Sequence, residues 1–202
     1  MTYNPGQFNK IIPFVQREPD WLILGGPADG DEAQCAVKKW PKLKVVGIEP
    51  VEANRNWQLE NGWPGTLLLP NALSDSMTTM GMHQPTDNHR TASFLENRPG
   101  QLVAVNTITL DRIQEVFGPF QNAILWMDIE GWEYQALLGG TKLMASKGVQ
   151  LVNLEILTRL QDEAKLIEDY MTAYGFELVH VWNEQPGLCC DKVYRRKTGC
   201  LL

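Results

Sequence analysis

Hydrophobic residues in the first third of this chain form short runs separated by amphipathic stretches. Three apolar runs are predicted strands, at residues 21–25, 44–49 and 66–69. Between them, residues 32–40 and 51–61 carry apolar side chains at spacings of three and four, which is typical of helices. Pro41 and Gly62 follow these two stretches and predict where the helices end. The order strand, helix, strand, helix, strand indicates a parallel sheet with helices on its faces.

The rest of the chain continues this alternation less regularly. Residues 74–100 are polar, and a loop of this length in a compact domain usually has a function. The neighbouring residues 92–95 and 102–108 alternate like the strands of a hairpin or of an edge extension. The later predicted elements are strands at 122–127, 149–154, 176–182 and 192–196 and helices at 111–117, 132–138 and 160–174. No helix separates the last two strands, so we predict that they are antiparallel.

These elements predict an α/β fold with a mostly parallel sheet, an antiparallel strand near the C-terminus, and one domain spanning residues 1–202. The net charge of −6 leaves no broad basic surface and argues against a nucleic-acid partner. No apolar run reaches the length of about 20 residues that spans a bilayer, and the first residues do not resemble a signal peptide. We therefore expect a cytoplasmic protein without a membrane partner. Its four cysteines lack zinc-site spacing and are expected to be free thiols.

Polar residues and glycines follow the predicted parallel strands at their carboxyl ends, where open α/β sheets bind ligands. Glycines after the first strand let the backbone approach a ligand closely. Glu49 ends the second strand about 20 residues later, the position of a ribose-binding carboxylate. The residues at these strand ends are Gly25, Gly26, Gly30, Asp31, Glu49, Pro50, the segment 71–74, Asp128, Glu130 and Glu155.

The glycine turn itself indicates which nucleotide it accepts. A dinucleotide motif that began at Gly25 would require glycine where Pro27 stands, and no phosphate-binding lysine follows Gly30. A ribose-binding carboxylate without a phosphate-binding turn suits an adenosine ligand that has no phosphate, such as S-adenosylmethionine. A nicotinamide enzyme is the alternative, and Pro27 argues against it.

Four residues are candidates for a catalytic base: Asp128, Glu130, His83 and His89. Histidine titrates near neutral pH, but a solvated histidine is the commoner outcome in a polar stretch. Asp128 and Glu130 could instead cap the helix that follows them, as we expect for Asp111 in its own region. Asp128, Glu130 and Glu155 could also bind Mg²⁺ through carboxylate oxygens. Because Glu155 could equally be structural, we predict that the site needs no metal.

Several of these motifs resemble those of the FkbM-type methyltransferases. The similar segments are residues 26–31 (GPADGD), 47–50 (GIEP), 71–75 (NALSD), 107–111 (TITLD), 127–133 (MDIEGWE) and 136–140 (ALLGG). Each segment is a weak signal alone, but their order and spacing are fairly specific and cover residues 22–156. The resemblance implies a seven-stranded Rossmann-like class I methyltransferase sheet, bound S-adenosylmethionine, and methyl transfer to a hydroxyl of a sugar or another small metabolite.

The resemblance also implies roles for individual residues. Glu49 would bind the ribose, Gly26 and Gly30 would approach the methionine half, and Asp128 would face the methionine amino group or the acceptor. The segment from Ala72 to Ser74 would border the adenine. The predicted cofactor-binding residues are Gly25, Gly26, Gly30, Asp31, Glu49, Pro50, Ala72, Leu73, Ser74 and Asp128. One position departs from the family, because Leu24 stands where an acidic residue is common. A binding module that keeps the fold without catalysis is therefore the alternative function.

Overall fold

The computed structural model describes residues 6–86, 91–95, 100–157 and 160–198. The strands are β1 (Trp21–Gly25), β2 (Lys44–Ile48), β3 (Leu67–Leu69), β4 (Ala72–Leu73), β5 (Thr79–Gln84), β6 (Gln101–Ile108), β7 (Ala123–Met127), β8 (Val149–Leu157), β9 (Phe176–Gln185) and β10 (Cys189–Arg196). The helices are α1 (Gly6–Asn9), α2 (Asp31–Lys39), α3 (Glu52–Glu60), α4 (Leu110–Phe117), α5 (Glu133–Leu138), α6 (Thr141–Ala145) and α7 (Gln161–Ala173). A short 3-10 helix (Ile12–Phe14) precedes β1.

Seven strands form the main sheet in the order β3-β2-β1-β7-β8-β10-β9. The pairs among β3, β2, β1, β7 and β8 are all parallel. Strand β10 lies between β8 and β9 and is antiparallel to both. The predicted fold class and the antiparallel arrangement of the last two strands are therefore confirmed. The chain passes from β1 to β2 and β3 on one side of β1, and it later crosses to β7 on the other side. The strand order therefore changes direction beside β1, where such sheets bind ligands.

Alternate side chains of the central strands enter two separate cores. Ile23 and Leu125 belong to a buried cluster that includes residues of α4 to α7. Leu22, Leu24 and Trp126 belong to a second cluster that includes residues of α1 and α2. Buried strands of this kind are apolar on both faces because helices cover both faces of the sheet. Because both faces of the sheet are packed, a ligand can reach the sheet at the ends of the strands.

A second sheet has three strands in the order β4-β6-β5, and its strand β5 lies in the region 74–100 that the sequence predicts as a polar loop. Strand β5 pairs with β6 in antiparallel register from Thr79 and Asn106 to His83 and Leu102. Residues 102–108 lie in β6, as their alternation predicts, but residues 92–95 do not form a hairpin with them, because Ser93 makes an isolated bridge to His83. The sequence of β5 has a low strand propensity, because it contains one β-branched residue, Thr79, and an internal glycine. The strand is therefore difficult to predict from the sequence.

Helix α6 is an element that the sequence pattern does not predict. It has five residues, too few to show a helical period. Asp111 caps it from a distant position, because its carboxylate accepts hydrogen bonds from the backbone N–H groups of Lys142 (3.2 Å) and Leu143 (2.9 Å). Thr109 caps α4 by accepting from the N–H of Arg112. Asp111 is therefore a helix cap as predicted, but for α6 rather than for its own helix.

The longest described helix, α7, has 13 residues. Within the described ranges no helix combines the length and the apolar character needed to cross a membrane. Cys35, Cys189 and Cys190 are buried free thiols, which confirms that part of the cysteine prediction. Cys200 lies outside the described residues.

Candidate active site

A cavity lies at the carboxyl ends of β1, β2 and β7. Segments that follow the main-sheet strands form its floor and sides, and residues of the second sheet and of the segment 92–94 form the remaining wall. The wall residues are Gly26, Ala28, Ile48, Glu49, Pro50, Val51, Asn54, Ala72, Leu73, Met82, Ala92, Ser93, Phe94, Asp128, Ile129, Glu130 and Trp132. This set contains three carboxylates and no lysine or arginine.

Glu49 is a buried carboxylate in the wall, with 3% of its surface exposed. Its Oε1 accepts the N–H of Val51 at 2.9 Å and its Oε2 accepts the N–H of Ala28 at 3.2 Å. Desolvation by burial raises its pKa to about 7, against the opposing effects of the Val51 and Asn54 hydrogen bonds. The carboxylate therefore joins the turn after β1 to the start of α3, and both segments border the cavity.

The turn after β1 is shaped by its contact with the loop after β7. Gly26 has a φ of +71°, and a Cβ there would lie 2.0 Å from the carbonyl oxygen of Asp128. The neighbouring strand end thus requires glycine at this position, in addition to any requirement of a ligand. Gly30 has a φ of +77° and precedes α2 as its N-cap residue. A non-glycine residue in this region of φ costs roughly 1–2 kcal/mol.

Three carboxylates lie together at the β7 end of the cavity. One carboxylate oxygen each from Asp128, Glu130 and Glu155 lies within 4.8 Å of the other two. Asp128 is exposed as a whole residue, whereas its carboxyl group is desolvated. This desolvation, followed by the negative charges of Glu155 and Glu130, raises the pKa of Asp128 well above its ordinary value. Glu155 lies within β8 rather than at its end, so this part of the predicted strand boundary is wrong.

Further buried carboxyl groups surround this cluster. Glu133 accepts the N–H of Ile129 at 2.9 Å, and desolvation raises its pKa to about 8. Asp191 accepts from the side chains of Asn153 and Asn183, and desolvation raises its pKa to about 6. The negative charges of Glu133 and Asp191 also help to raise the pKa of Asp128. The β7 end of the site is therefore electronegative.

An apolar wall faces the carboxylates. The rings of Phe94 and Trp132 are 5.2 Å apart, and the Nε1–H of Trp132 donates to Ser74 Oγ at 3.2 Å. Val51, Ala72 and Met82 belong to one small buried cluster against which Phe94 packs. The cavity thus offers an apolar surface beside Glu49 and an acidic surface beside Asp128.

The structure brings some of the predicted site residues together and separates others. Those in the cavity wall are Gly26, Glu49, Pro50, Ala72, Leu73, Asp128 and Glu130. Those outside the wall are Gly25, Gly30, Asp31, Ser74 and His83. The side chain of His83 follows that of Met82 along β5, so the two side chains project to opposite faces of the strand. His89 lies outside the described residues. The roles of all of these residues stay predictions.

Sequence reasoning missed several wall residues. Asn54 follows Pro50 by about one helical turn, and this spacing could have indicated it. Met82, Ser93, Phe94 and Trp132 gave no such signal, because the pairing of β5 with β6 and the docking of residues 92–95 decide which of them face the cavity.

Raising the pH from about 5 to about 8 is expected to lower the free energy of unfolding. The folded protein holds protons on Glu133, Glu49 and Glu32 at pH values where the unfolded chain has lost them, so stability decreases as the pH rises through this window. A pKa difference of one corresponds to about 1.4 kcal/mol. Urea denaturation across this range measures the effect.

Glu133→Gln should reduce this pH dependence, because glutamine still accepts the Ile129 N–H but carries no charge. The exposed Glu60 supplies the control Glu60→Gln, which should retain the wild-type pH dependence. Equal pH dependence in Glu133→Gln and the wild type would contradict the burial of a titrating group at this position.

Comparisons with known proteins bear on this arrangement of fold and site. The family described as the Methyltransferase FkbM domain matches residues 25–178, which is more than half of the chain. No curated protein matches the sequence. The matched region begins at the last residue of β1 and ends near the start of β9, so it includes the whole of β2, β3, β7 and β8 but not β10.

Solved structures share the fold at low sequence identity. The methyltransferase FkbM from Methylobacillus flagellatus KT has a TM-score of 0.61 and 12% identity, covering 88% of this chain, which spans 44% of that protein. A putative rRNA methylase from Clostridium thermocellum has a TM-score of 0.55 and 9% identity, with 96% of each chain covered. Aeropyrum pernix fibrillarin, solved with natively bound S-adenosyl-L-methionine, has a TM-score of 0.52 and 13% identity, covering 90% of this chain and 68% of that one. The match across residues 25–178 and the seven-stranded sheet show that this chain belongs to the FkbM methyltransferase family.

Proposed function

We propose that this protein uses S-adenosylmethionine to methylate a hydroxyl oxygen of a sugar or another small metabolite. One observation carries the proposal: the buried Glu49 carboxylate and the Asp128 carboxylate lie in the wall of the same cavity. The first has the position to bind a ribose, and the second can accept a proton from an acceptor. The cytoplasmic location of the protein also stays a prediction.

The wall residues fit S-adenosylmethionine better than a phosphate-containing cofactor. The oxygens of Glu49 accept two backbone N–H groups and the side chain of Asn54, and a carboxylate has about four lone-pair sites, so about one site remains for a ribose hydroxyl. Among the residues that the structure describes, the wall contains carboxylates but no lysine or arginine that would neutralise a phosphate.

When bound, S-adenosylmethionine would supply a methyl group on a positively charged sulfur. The task left to this chain is to orient the acceptor, exclude water and remove one proton. Such positioning contributes about 7–11 kcal/mol in favourable cases. Phe94 and Trp132 would exclude water from one side. The Asp128 carboxylate would accept the hydroxyl proton, and the raised pKa of its carboxyl makes it a stronger base than an ordinary aspartate.

The charge of the site favours a small acceptor over RNA, although one structural neighbour is a putative rRNA methylase. RNA binding depends on basic residues that replace counterions at the phosphates. This chain has a net charge of −6, and the cavity wall carries carboxylates instead. A hydroxylated metabolite without phosphate groups avoids this repulsion.

Leu24 motivates the alternative of a binding module without catalysis. Its side chain is fully buried and belongs to the same cluster as Phe8 and Ala33, so it is not part of the cavity wall. Asp128 and Glu130, in the loop after β7, supply acidic groups to the site instead. Binding of S-adenosylmethionine without turnover on any acceptor would favour the binding module.

Asp128→Asn is expected to lower turnover by about 100-fold or more, because general base catalysis contributes about 10²–10⁴-fold. Transfer of a labelled methyl group to a panel of hydroxylated acceptors measures the effect. His83→Ala and His89→Ala are the comparison variants and should lower turnover less. Unchanged turnover in Asp128→Asn would reject this aspartate as the base.

Wild-type turnover should also persist in EDTA, and a loss that Mg²⁺ restores would show that the three carboxylates hold a metal.

A further inference from the structure

We infer that Ser93 is a positioning residue for the proposed methyl transfer, holding the loop that carries Asp128 and Glu130 in place through a hydrogen bond to the Glu130 carbonyl. The inference rests on the proposed function and extends it to a residue outside the main sheet. Ser93 is 1% exposed and belongs to the cavity wall.

The hydroxyl of Ser93 is fixed by two hydrogen bonds. Its Oγ donates to the carbonyl oxygen of Glu130 at 2.8 Å and accepts the N–H of Leu95 at 3.1 Å. Its backbone is fixed independently, because the N–H and the carbonyl of Ser93 pair with His83 at 3.0 and 2.8 Å. The hydroxyl therefore connects the second sheet to the loop after β7 at a defined position.

The loop after β7 has a conformation that needs such support. Glu130 has a φ of +58°, which is uncommon for a residue with a side chain, and Gly131 follows with a φ of +90°. Strained backbone of this kind persists where its surroundings hold it, and it often occurs at functional sites. Asp128, Glu130 and Glu155 also repel one another at their separation within 4.8 Å. Both effects would move the loop if its contacts were removed.

Neighbouring contacts reinforce the position of Ser93. The ring of Phe94 packs 5.2 Å from that of Trp132, and a Cβ on Gly131 would lie 2.8 Å from Leu95 Cδ1. Three consecutive residues of one segment thus contact three consecutive residues of the loop, 93 with 130, 94 with 132 and 95 with 131. Of these contacts, the hydrogen bond of Ser93 is the directional one.

Ser93→Ala tests the inference, with Ser146→Ala as a matched control. Ser146 has the same pair of bonds, since its Oγ donates to the Leu143 carbonyl at 2.7 Å and accepts the N–H of Gly148 at 3.2 Å, but it lies outside the cavity wall. The dissociation constant for S-adenosylhomocysteine is measured by calorimetry between pH 6 and pH 9, together with the Tm of each variant. Ser93→Thr retains the hydroxyl and serves as the rescue variant.

We expect Ser93→Ala to raise the dissociation constant by about fivefold or more, because a buried carbonyl loses its donor. The pH dependence of binding should also move to lower pH, since a relaxed loop lets Asp128 separate from Glu130 and Glu155. Ser146→Ala and Ser93→Thr should stay within about twofold of the wild type in affinity. A purely structural role of Ser93 would lower the Tm without moving the pH dependence.

If the wild type binds S-adenosylhomocysteine and Ser93→Ala binds it with the same affinity and pH dependence, the inference is overturned and the proposed function is not. Absence of binding by the wild type would overturn the proposed function and this inference with it. If Ser93→Ala does not fold, Ser93→Cys is measured in the same way, because a thiol is a weak donor of similar size. An unchanged affinity and pH dependence in Ser93→Cys would then overturn the inference.

Discussion

Glu49→Gln is expected to weaken the binding of S-adenosylhomocysteine by at least about 100-fold. The Glu49 carboxylate accepts the N–H groups of Ala28 and Val51, and an amide nitrogen would place N–H against N–H at one of them. The amide also removes an acceptor for the ribose hydroxyls. Two hydrogen bonds to a charged group, at about 1.5–3 kcal/mol each, account for a loss of this size. Calorimetry at pH 8, above the Glu49 pKa of about 7, measures it.

Glu52→Gln is the matched control for this experiment. Glu52 lies three residues further along the chain, in the first turn of α3, and is exposed. Its substitution removes the same charge from the same helix end but not from the cavity wall. An equal loss of affinity in both variants would mean that general electrostatics, rather than ribose recognition by Glu49, governs binding.

Gly26→Ala is expected to lower the free energy of unfolding by about 3 kcal/mol or more and to abolish cofactor binding. A methyl group there would lie 2.0 Å from the Asp128 carbonyl oxygen, so the ends of β1 and β7 would have to separate. Overpacking of a buried site costs about 1–3 kcal/mol, and a non-glycine residue at positive φ adds roughly 1–2 kcal/mol. Urea denaturation measures the change in stability.

Gly62→Ala separates these two contributions. Gly62 has a φ of +80°, close to that of Gly26, but a Cβ there would meet no atom within 4 Å. Its substitution should therefore cost only the backbone term of roughly 1–2 kcal/mol and leave binding unchanged. If Gly26→Ala were no more destabilising than Gly62→Ala, the close approach of the two strand ends would be disproved.

The main sheet could be predicted from the sequence because its signals are local. Continuous apolar runs identify β1, β2 and β7, and helical spacing ended by Pro41 identifies α2. The absence of a helix between the last two strands predicts their antiparallel pairing, which the structure confirms. In each case the residues that form the element also contain the pattern, so no distant contact is needed to recognise it.

Strand β5 of the second sheet and helix α6 could not be predicted, because distant contacts form them. Strand β5 is weak in intrinsic propensity and exists through its pairing with β6. Helix α6 is fixed by the carboxylate of Asp111, some 30 residues earlier in the chain. Local patterns contain neither relationship.

The candidate site divides in the same way. Glu49, Asp128 and Glu130 were predicted because carboxyl ends of parallel strands converge at one edge of a sheet. That Ser93 and Phe94 would complete the wall depends on how a distant segment docks on the loop after β7. Gly26, which the sequence predicts as a cofactor-binding glycine, is also required by its close approach to the Asp128 carbonyl oxygen. No sequence pattern shows this approach.

The central claim is that the cavity beside Glu49 binds S-adenosylmethionine. Calorimetric titration of the wild-type protein with S-adenosylmethionine, S-adenosylhomocysteine and NAD tests it most directly. We predict binding of the first two ligands at one site per chain and no binding of NAD, because the wall residues in the described part of the chain include no cation for a pyrophosphate. Binding of NAD, or the absence of binding by both S-adenosyl ligands, would contradict the claim.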